Sequence, residues 1–140
     1  MTKNNMDYKF SNELIDDAKV IREKVFIEEQ GFKDEFDDLD NSCWHFVLYE
    51  DQPIAVARFY QKDHNYVIGR IAVIKEKRGQ HIGECVISLV EEKIKQLGGC
   101  RIELSAQKQA QPFYEKLGYQ AYGDEYLDEH CPHIKMVKEF

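Results

Sequence analysis

Arg78-Gly79-Gln80-His81-Ile82-Gly83 is the stretch of this chain whose residue types and spacing most directly offer chemistry. Glycines at 79 and 83 permit backbone geometry and close approach that a side chain would block, and an amphipathic pattern begins at Ile82. The first N–H groups of a helix have no helical partner, so several can point at one anion. A turn of this kind between a strand and a helix reads as a diphosphate cradle, and Lys75, Lys77, Arg78 and His81 crowd positive charge around it. A surface turn that happens to hold glycines, beside a solvated strand end, is the other reading, and residues elsewhere must decide.

The elements that would position this turn follow from hydrophobic spacing. Leu14, Ala18, Ile21 and Val25 recur at helical intervals with charged residues between them, which predicts a helix ending near Gly31, its start capped by Ser11 or Asn12. Lys33 to Asp40 is acidic, with only Phe36 and Leu39 as apolar anchors, and reads as a loop or short helix. Residues 44–50 and 54–60 are β-rich runs split by Asp51-Gln52-Pro53, with proline ending a hairpin turn, and a third run spans 66–74. Together they predict an antiparallel meander.

Ile82, Val86, Leu89, Val90, Ile94 and Leu97 mark the helix after the turn, which Gly98-Gly99 ends. Residues 101–105 form a strand that a helical crossover should set parallel to its predecessor. Residues 110–117 make a short helix stopped by Gly118, and two further strands are expected around residues 124–132 and 133–137. The pattern describes an α/β (α+β) fold: one domain over residues 1–140, with a mixed, mainly antiparallel central sheet and helices on both faces.

Composition limits the partners. With 140 residues there is material for one ordinary core, and 19 basic against 26 acidic residues give a net charge of −7. That balance argues against nucleic acid. No apolar run approaches the roughly 18 residues needed to span a bilayer, and Met1 to Asn5 shows no signal core, so no membrane partner is expected. Cys43, Cys85, Cys100 and Cys131 are scattered without a C-x-x-C pair, which fits reduced thiols in a cytoplasm. Asp34, Glu35, Asp37, Asp38 and Asp40 lack the residue order of a calcium loop, so no metal is expected.

The strand, the glycine turn, the helix and the segment from Gln107 to Gly118 resemble the GNAT acetyltransferase superfamily. Arg78 and Gly83 match the ends of its [RQ]-x-x-G-x-[GA] loop, and Ala110-Gln111-Pro112-Phe113-Tyr114-Glu115-Lys116-Leu117-Gly118-Tyr119 is similar to its A-x-x-[FL]-Y-x-x-x-G-[FY] segment. His81 stands where the family usually has a glycine. Arg22 to Gln30, His45, Gly69 to Val73, Ala106-Gln107 and Pro132-His133 extend the resemblance to the small ElaA/YjcF-like subgroup.

The resemblance implies an acetyl-CoA-dependent N-acetyltransferase that passes an acetyl group to a primary amine by direct attack in a ternary complex. The acceptor would be an amino sugar such as glucosamine 6-phosphate, or another small amine. It places Arg78, Gly79, Gln80, His81, Ile82 and Gly83 on the diphosphate of acetyl-CoA, and Ile71, Ala72, Val73 and Gln107 along the pantetheine arm, with Phe113 beside them as packing. Tyr114 matches the tyrosine that protonates the departing thiolate, and Glu29 and His133 are the leading candidates for the base. The acidic stretch containing Asp37 and Asp38 would border the acceptor side and attract a cationic amine. A homodimer is expected by analogy, and a non-catalytic acyl-CoA-binding or regulatory domain is the alternative.

Overall fold

Each face of a seven-stranded sheet carries its own apolar layer in the computed structural model, which describes residues 6–33 and 35–140. The strands are β1 (Met6–Ser11), β2 (Trp44–Glu50), β3 (Gln52–Lys62), β4 (Asn65–Val73), β5 (Arg101–Gln107), β6 (Gln120–Asp128) and β7 (Cys131–Glu139). Their order is β1-β2-β3-β4-β5-β7-β6, and every neighbouring pair is antiparallel except β4 with β5. The mixed sheet with helices on both faces is the fold expected from the sequence.

Alternation explains why β2 and β3 read as nearly continuous apolar runs. Phe46 and Leu48 of β2, with Ala55, Ala57 and Phe59 of β3, enter the core beneath α2 (Ile82–Gln96). Val47 and Val56 point the other way, into the core beneath α1 (Asp16–Arg22). From α2, Val86, Val90 and Ile94 are fully buried, each burial stabilising the fold by about 1.5–3 kcal/mol. A third helix, α3 (Gln111–Lys116), closes the α2 side near the end of β5.

Several local expectations are corrected. Met6–Ser11 is a strand paired with β2, so Ser11 does not cap α1, which starts at Asp16 without a side-chain cap. Asp16 and Asp17 in its first turn favour the helix dipole instead. The helix does not run regularly to Gly31: it widens into a π-helical turn, Glu23–Glu29, with the Gln30 N–H reaching back five residues to the Val25 carbonyl at 3.0 Å. Pro53 lies inside β3, and the hairpin turn rests on Asp51 with φ 64°. β6 starts earlier than expected, at Gln120, β7 runs beyond residues 133–137 at both ends, and β7 inserts between β5 and β6. Asp34 falls outside the described residues.

Candidate active site

β4 and β5 pair only over Tyr66, Val67 and Ile68 against Ile102, Glu103 and Leu104, although both strands continue further. The two strands therefore fork. The divergence is built into β4, where Val56 opposes Ala72 while Arg58 opposes Gly69, so two steps along β3 answer three along β4. That extra residue makes a β-bulge, and Arg70 within it has φ 50°, left-handed backbone that a side chain adopts only at some cost. Beyond Ile68 the β5-side edge of β4 faces no strand among the described residues, which leaves peptide groups directed into the fork. Ile71 and Val73 send their side chains to the α2-side core and Ala72 to the α1-side core.

Past the end of β4, a 3-10 turn (Lys75–Lys77) leads through Arg78 to Gly79, whose φ of 80° is left-handed, and to His81 with φ 63° and ψ 20°. Histidine thus occupies its glycine-like place by taking left-handed backbone, with its ring 82% exposed and Nδ1 3.4 Å from Glu84 Oε1. The Cys85 N–H donates to the His81 carbonyl at 3.2 Å, so the N–H groups of Ile82, Gly83 and Glu84, which precede it, have no helical acceptor. A Cβ placed on Gly83 would come 3.1 Å from Phe113 Cζ, so the turn is closed against α3 and only glycine leaves the ring undisturbed. Free amides at a helix N-terminus and the bare backbone of Gly79 and Gly83 fit a diphosphate, while the Lys77 ammonium is turned to Glu50 at 2.5 Å.

Arg78 folds back from this loop. Its Nε donates to the Val73 carbonyl at 3.0 Å, and its two Nη groups grip Glu29 at 2.5 and 2.8 Å. Hydrogen bonding from Arg78 holds the Glu29 carboxyl below its ordinary pKa. A stabilised carboxylate is a weaker base, so this partnership opposes the role that sequence reasoning offered for Glu29.

On α3, Tyr114 is buried with its ring 5.0 Å from Phe113 and 6.0 Å from Tyr119. Burial raises its phenol pKa, which keeps the proton on the oxygen at neutral pH. Gln107 and His133 are cross-strand partners at the ends of β5 and β7. The Gln107 amide is held from both sides, donating to Gln30 Oε1 and accepting from Gln109 Nε2, each at 2.7 Å. His133 is buried, and its Nδ1–H donates to the Cys131 carbonyl at 2.9 Å. A carbonyl only accepts, so the neutral ring carries its lone pair on Nε2.

Gln107, Tyr114 and His133 line one cleft of about 330 Å³ that enters the fork. Ile71 lines it too, as do Phe26 and Phe32 from the π-helical turn and the loop after it. The cleft therefore has walls from both sheet faces, meeting where β4 and β5 part.

The acidic stretch bordering this cleft does not present a bank of free carboxylates. Arg22, only 1% exposed, donates to Glu35 Oε2 at 2.8 Å and to both Asp40 oxygens at 2.8 and 3.1 Å. Arg58 bonds Asp37 and Asp40, while Arg70 bridges Glu35 and Asp37. Three guanidinium groups thus neutralise three carboxylates, and of the two residues assigned to attract a cation, Asp37 is engaged and Asp38 lies exposed outside the network. Burial pushes the Glu35 carboxyl up. For Asp40, burial acts in the same direction but is overcome by hydrogen bonds from Arg22, the Asp37 backbone and Arg58, which bring it down to about 2. His45 belongs to the core: it is buried with Nε2 2.9 Å from the Asp40 carbonyl.

A family model described as an acetyltransferase (GNAT) domain matches residues 10–140. The chain belongs to the GNAT acetyltransferases. The uncharacterized N-acetyltransferase YjcF of Bacillus subtilis is 35% identical over 133 residues, covering 92% of this chain and 95% of YjcF. Escherichia coli ElaA superposes with a TM-score of 0.86 at 25% identity, over 96% of this chain and 100% of ElaA. An acyl-CoA N-acyltransferase from Pseudomonas aeruginosa gives 0.85 at 26% identity, over 96% and 99% of the two chains.

In this GNAT chain the residues that sequence reasoning missed are Arg22, Arg58, Arg70 and Gln30. Arg22 had a signal: it lies four residues after Ala18 and three before Val25, on the buried side of the helix, where a lone guanidinium requires carboxylate partners. Arg58 had one as well, as the single charge inside the apolar run of β3. Arg70 and Gln30 had none, because their places depend on the bulge and on the π-helical turn.

Proposed function

We propose that this GNAT enzyme uses acetyl-CoA to acetylate a small primary amine by direct attack. The observation that carries the reading is the fork between β4 and β5. Tyr114 and His133 line the cleft that enters it, and the amide cradle at residues 82–84 follows the tip of β4, one of its two prongs. The Pseudomonas relative's description as an acyl-CoA N-acyltransferase supports the donor.

The diphosphate of the donor would rest on the free amides of residues 82–84 and the pantetheine arm along Ile71, Ala72 and Val73, with the Gln107 amide beside it. Peptide N–H groups on the open edge of β4 would polarise the thioester carbonyl. His133 Nε2 takes the proton from the amine as nitrogen attacks carbon, the C–N bond forms, and the C–S bond breaks. Tyr114, which burial keeps protonated, then supplies the proton to the thiolate. No cysteine nucleophile is needed, and neither Cys85 nor Cys100 lines the cleft. The four cysteines are free thiols, which agrees with a cytoplasmic location.

Initial-rate kinetics with acetyl-CoA and a panel of amines tests the order of events. Intersecting double-reciprocal lines are expected for a ternary complex, and parallel lines would instead require an acyl-enzyme.

A further inference from the structure

Two consecutive residues at the end of the π-helical turn hold opposite prongs of the fork. Glu29 grips Arg78 with two bonds, and Arg78 is itself tied to the Val73 carbonyl at the tip of β4. Gln30 accepts from Gln107 Nε2 at 2.7 Å, at the tip of β5. Beyond Leu104 no backbone ladder joins β4 to β5, so these side chains connect the tips where the strands no longer do so. Adjacent Cα atoms lie about 3.8 Å apart, so a move of either prong is transmitted through a single peptide to the other.

We infer that Glu29 and Gln30 form a strap that sets the width of the fork and so positions the donor arm between its prongs. Glu29 is then a positioning residue that acts through Arg78, rather than the base. The π-helical geometry supports this: the bond from the Gln30 N–H to the Val25 carbonyl, five residues back, turns this end of the helix so that successive side chains reach two different strands. Phe26 and Gln30 of the same segment also line the cleft, so the strap ties this wall of it to the loop that holds Arg78. A fork held at fixed width before binding spares the donor the cost of ordering it. Only the effect on the donor rests on the acetyl-CoA reading; the strap itself is a property of the free protein.

The experiment therefore has a ligand-free arm. Glu29→Gln, Gln30→Ala and the double variant are compared with the unaltered chain by amide hydrogen exchange over residues 69–78 and 105–107, then by calorimetric titration with CoA. Each single variant is expected to speed exchange severalfold on both prongs and to weaken CoA about tenfold. The double variant should lose little more than either single one, because one break already frees the fork. Exchange that rises only on the prong whose own contact was cut overturns the strap, as do additive losses of CoA affinity. Tighter CoA binding in Glu29→Gln would also overturn it, showing Glu29 to be a mere competitor for the Arg78 charge. Arg78→Lys keeps the charge and removes the two-pronged grip, so it should speed exchange near Gln107 even if another variant folds poorly. If the exchange pattern holds while the unaltered chain binds no CoA, the strap stands and the donor reading falls.

Discussion

The ring of Phe113 on α3 lies against Gly83 at the start of α2, so closely that a Cβ on the glycine would sit 3.1 Å from Cζ. The contact couples the two segments that resemble GNAT motifs, because the residue next to Phe113 is the proposed acid, Tyr114. Gly83→Val should push the ring outward, weaken CoA binding by about tenfold and lower stability by about 1–3 kcal/mol, the usual range for overpacking. Titration calorimetry and urea unfolding measure the two effects. Phe113→Ala should restore part of the CoA affinity in the double variant.

His81 is expected to be a tolerated departure. Left-handed backbone costs a side chain about 1–2 kcal/mol, and glycine would return part of this through its larger unfolded-state freedom. His81→Gly should therefore raise stability by about 0.5–1 kcal/mol, seen as a melting temperature about 3 °C higher in a chain of this length. With the ring 82% exposed, CoA affinity should hold or improve. A large loss of affinity would show that the imidazole itself meets the nucleotide.

Arg22 anchors the buried ion network from inside the helix. Arg22→Met leaves Glu35 and Asp40 partly uncompensated, and removing one partner of a buried pair costs about 3–5 kcal/mol. Chemical unfolding should register that loss. Charge reversal at Asp37, held by Arg58 and Arg70, should likewise act first on stability, whereas reversal at exposed Asp38 should leave it within about 0.5 kcal/mol.

The same network makes stability depend on pH in two opposite ways. Asp40, brought down to about 2 in the folded protein, contributes about 2 kcal/mol that is complete above the unfolded carboxyl value near 4 and lost as pH falls toward 2. Glu35 is raised by burial, so its charged form is disfavoured and stability is gained as pH falls through its folded value toward its ordinary one. Unfolding free energies measured against pH should thus pass through a maximum in mild acid. Glu35→Gln should remove the rise on mild acidification and keep the fall in stronger acid.

Much of the proposed donor side is legible in the sequence because its signals are local. The 3.6-residue spacing from Ile82 to Leu97, the glycines before it and the Ala110 to Tyr119 segment lie on consecutive elements, and α2 appears over Ile82–Gln96 as that spacing requires. β1 is not legible, because most of its residues are exposed and its pairing comes from the edge of β2. The acidic stretch misled for a related reason. Its charge is plain, but the neutralising arginines lie 13 or more residues away in the chain from the carboxylates they bind, on a helix and two strands. Glu29 and His133 were indistinguishable by spacing, and only their partners separate them: a guanidinium for one, a backbone carbonyl that leaves Nε2 basic for the other.

The acetyl-transfer reading is tested most directly by the release of free CoA thiol from acetyl-CoA, measured across a panel of primary amines for the unaltered chain and Tyr114→Phe. At least one amine should raise release well above the rate without acceptor, and Tyr114→Phe should cut that release about 100-fold or more with CoA binding intact. Thiol release that no amine accelerates, from a chain that binds CoA, would contradict it.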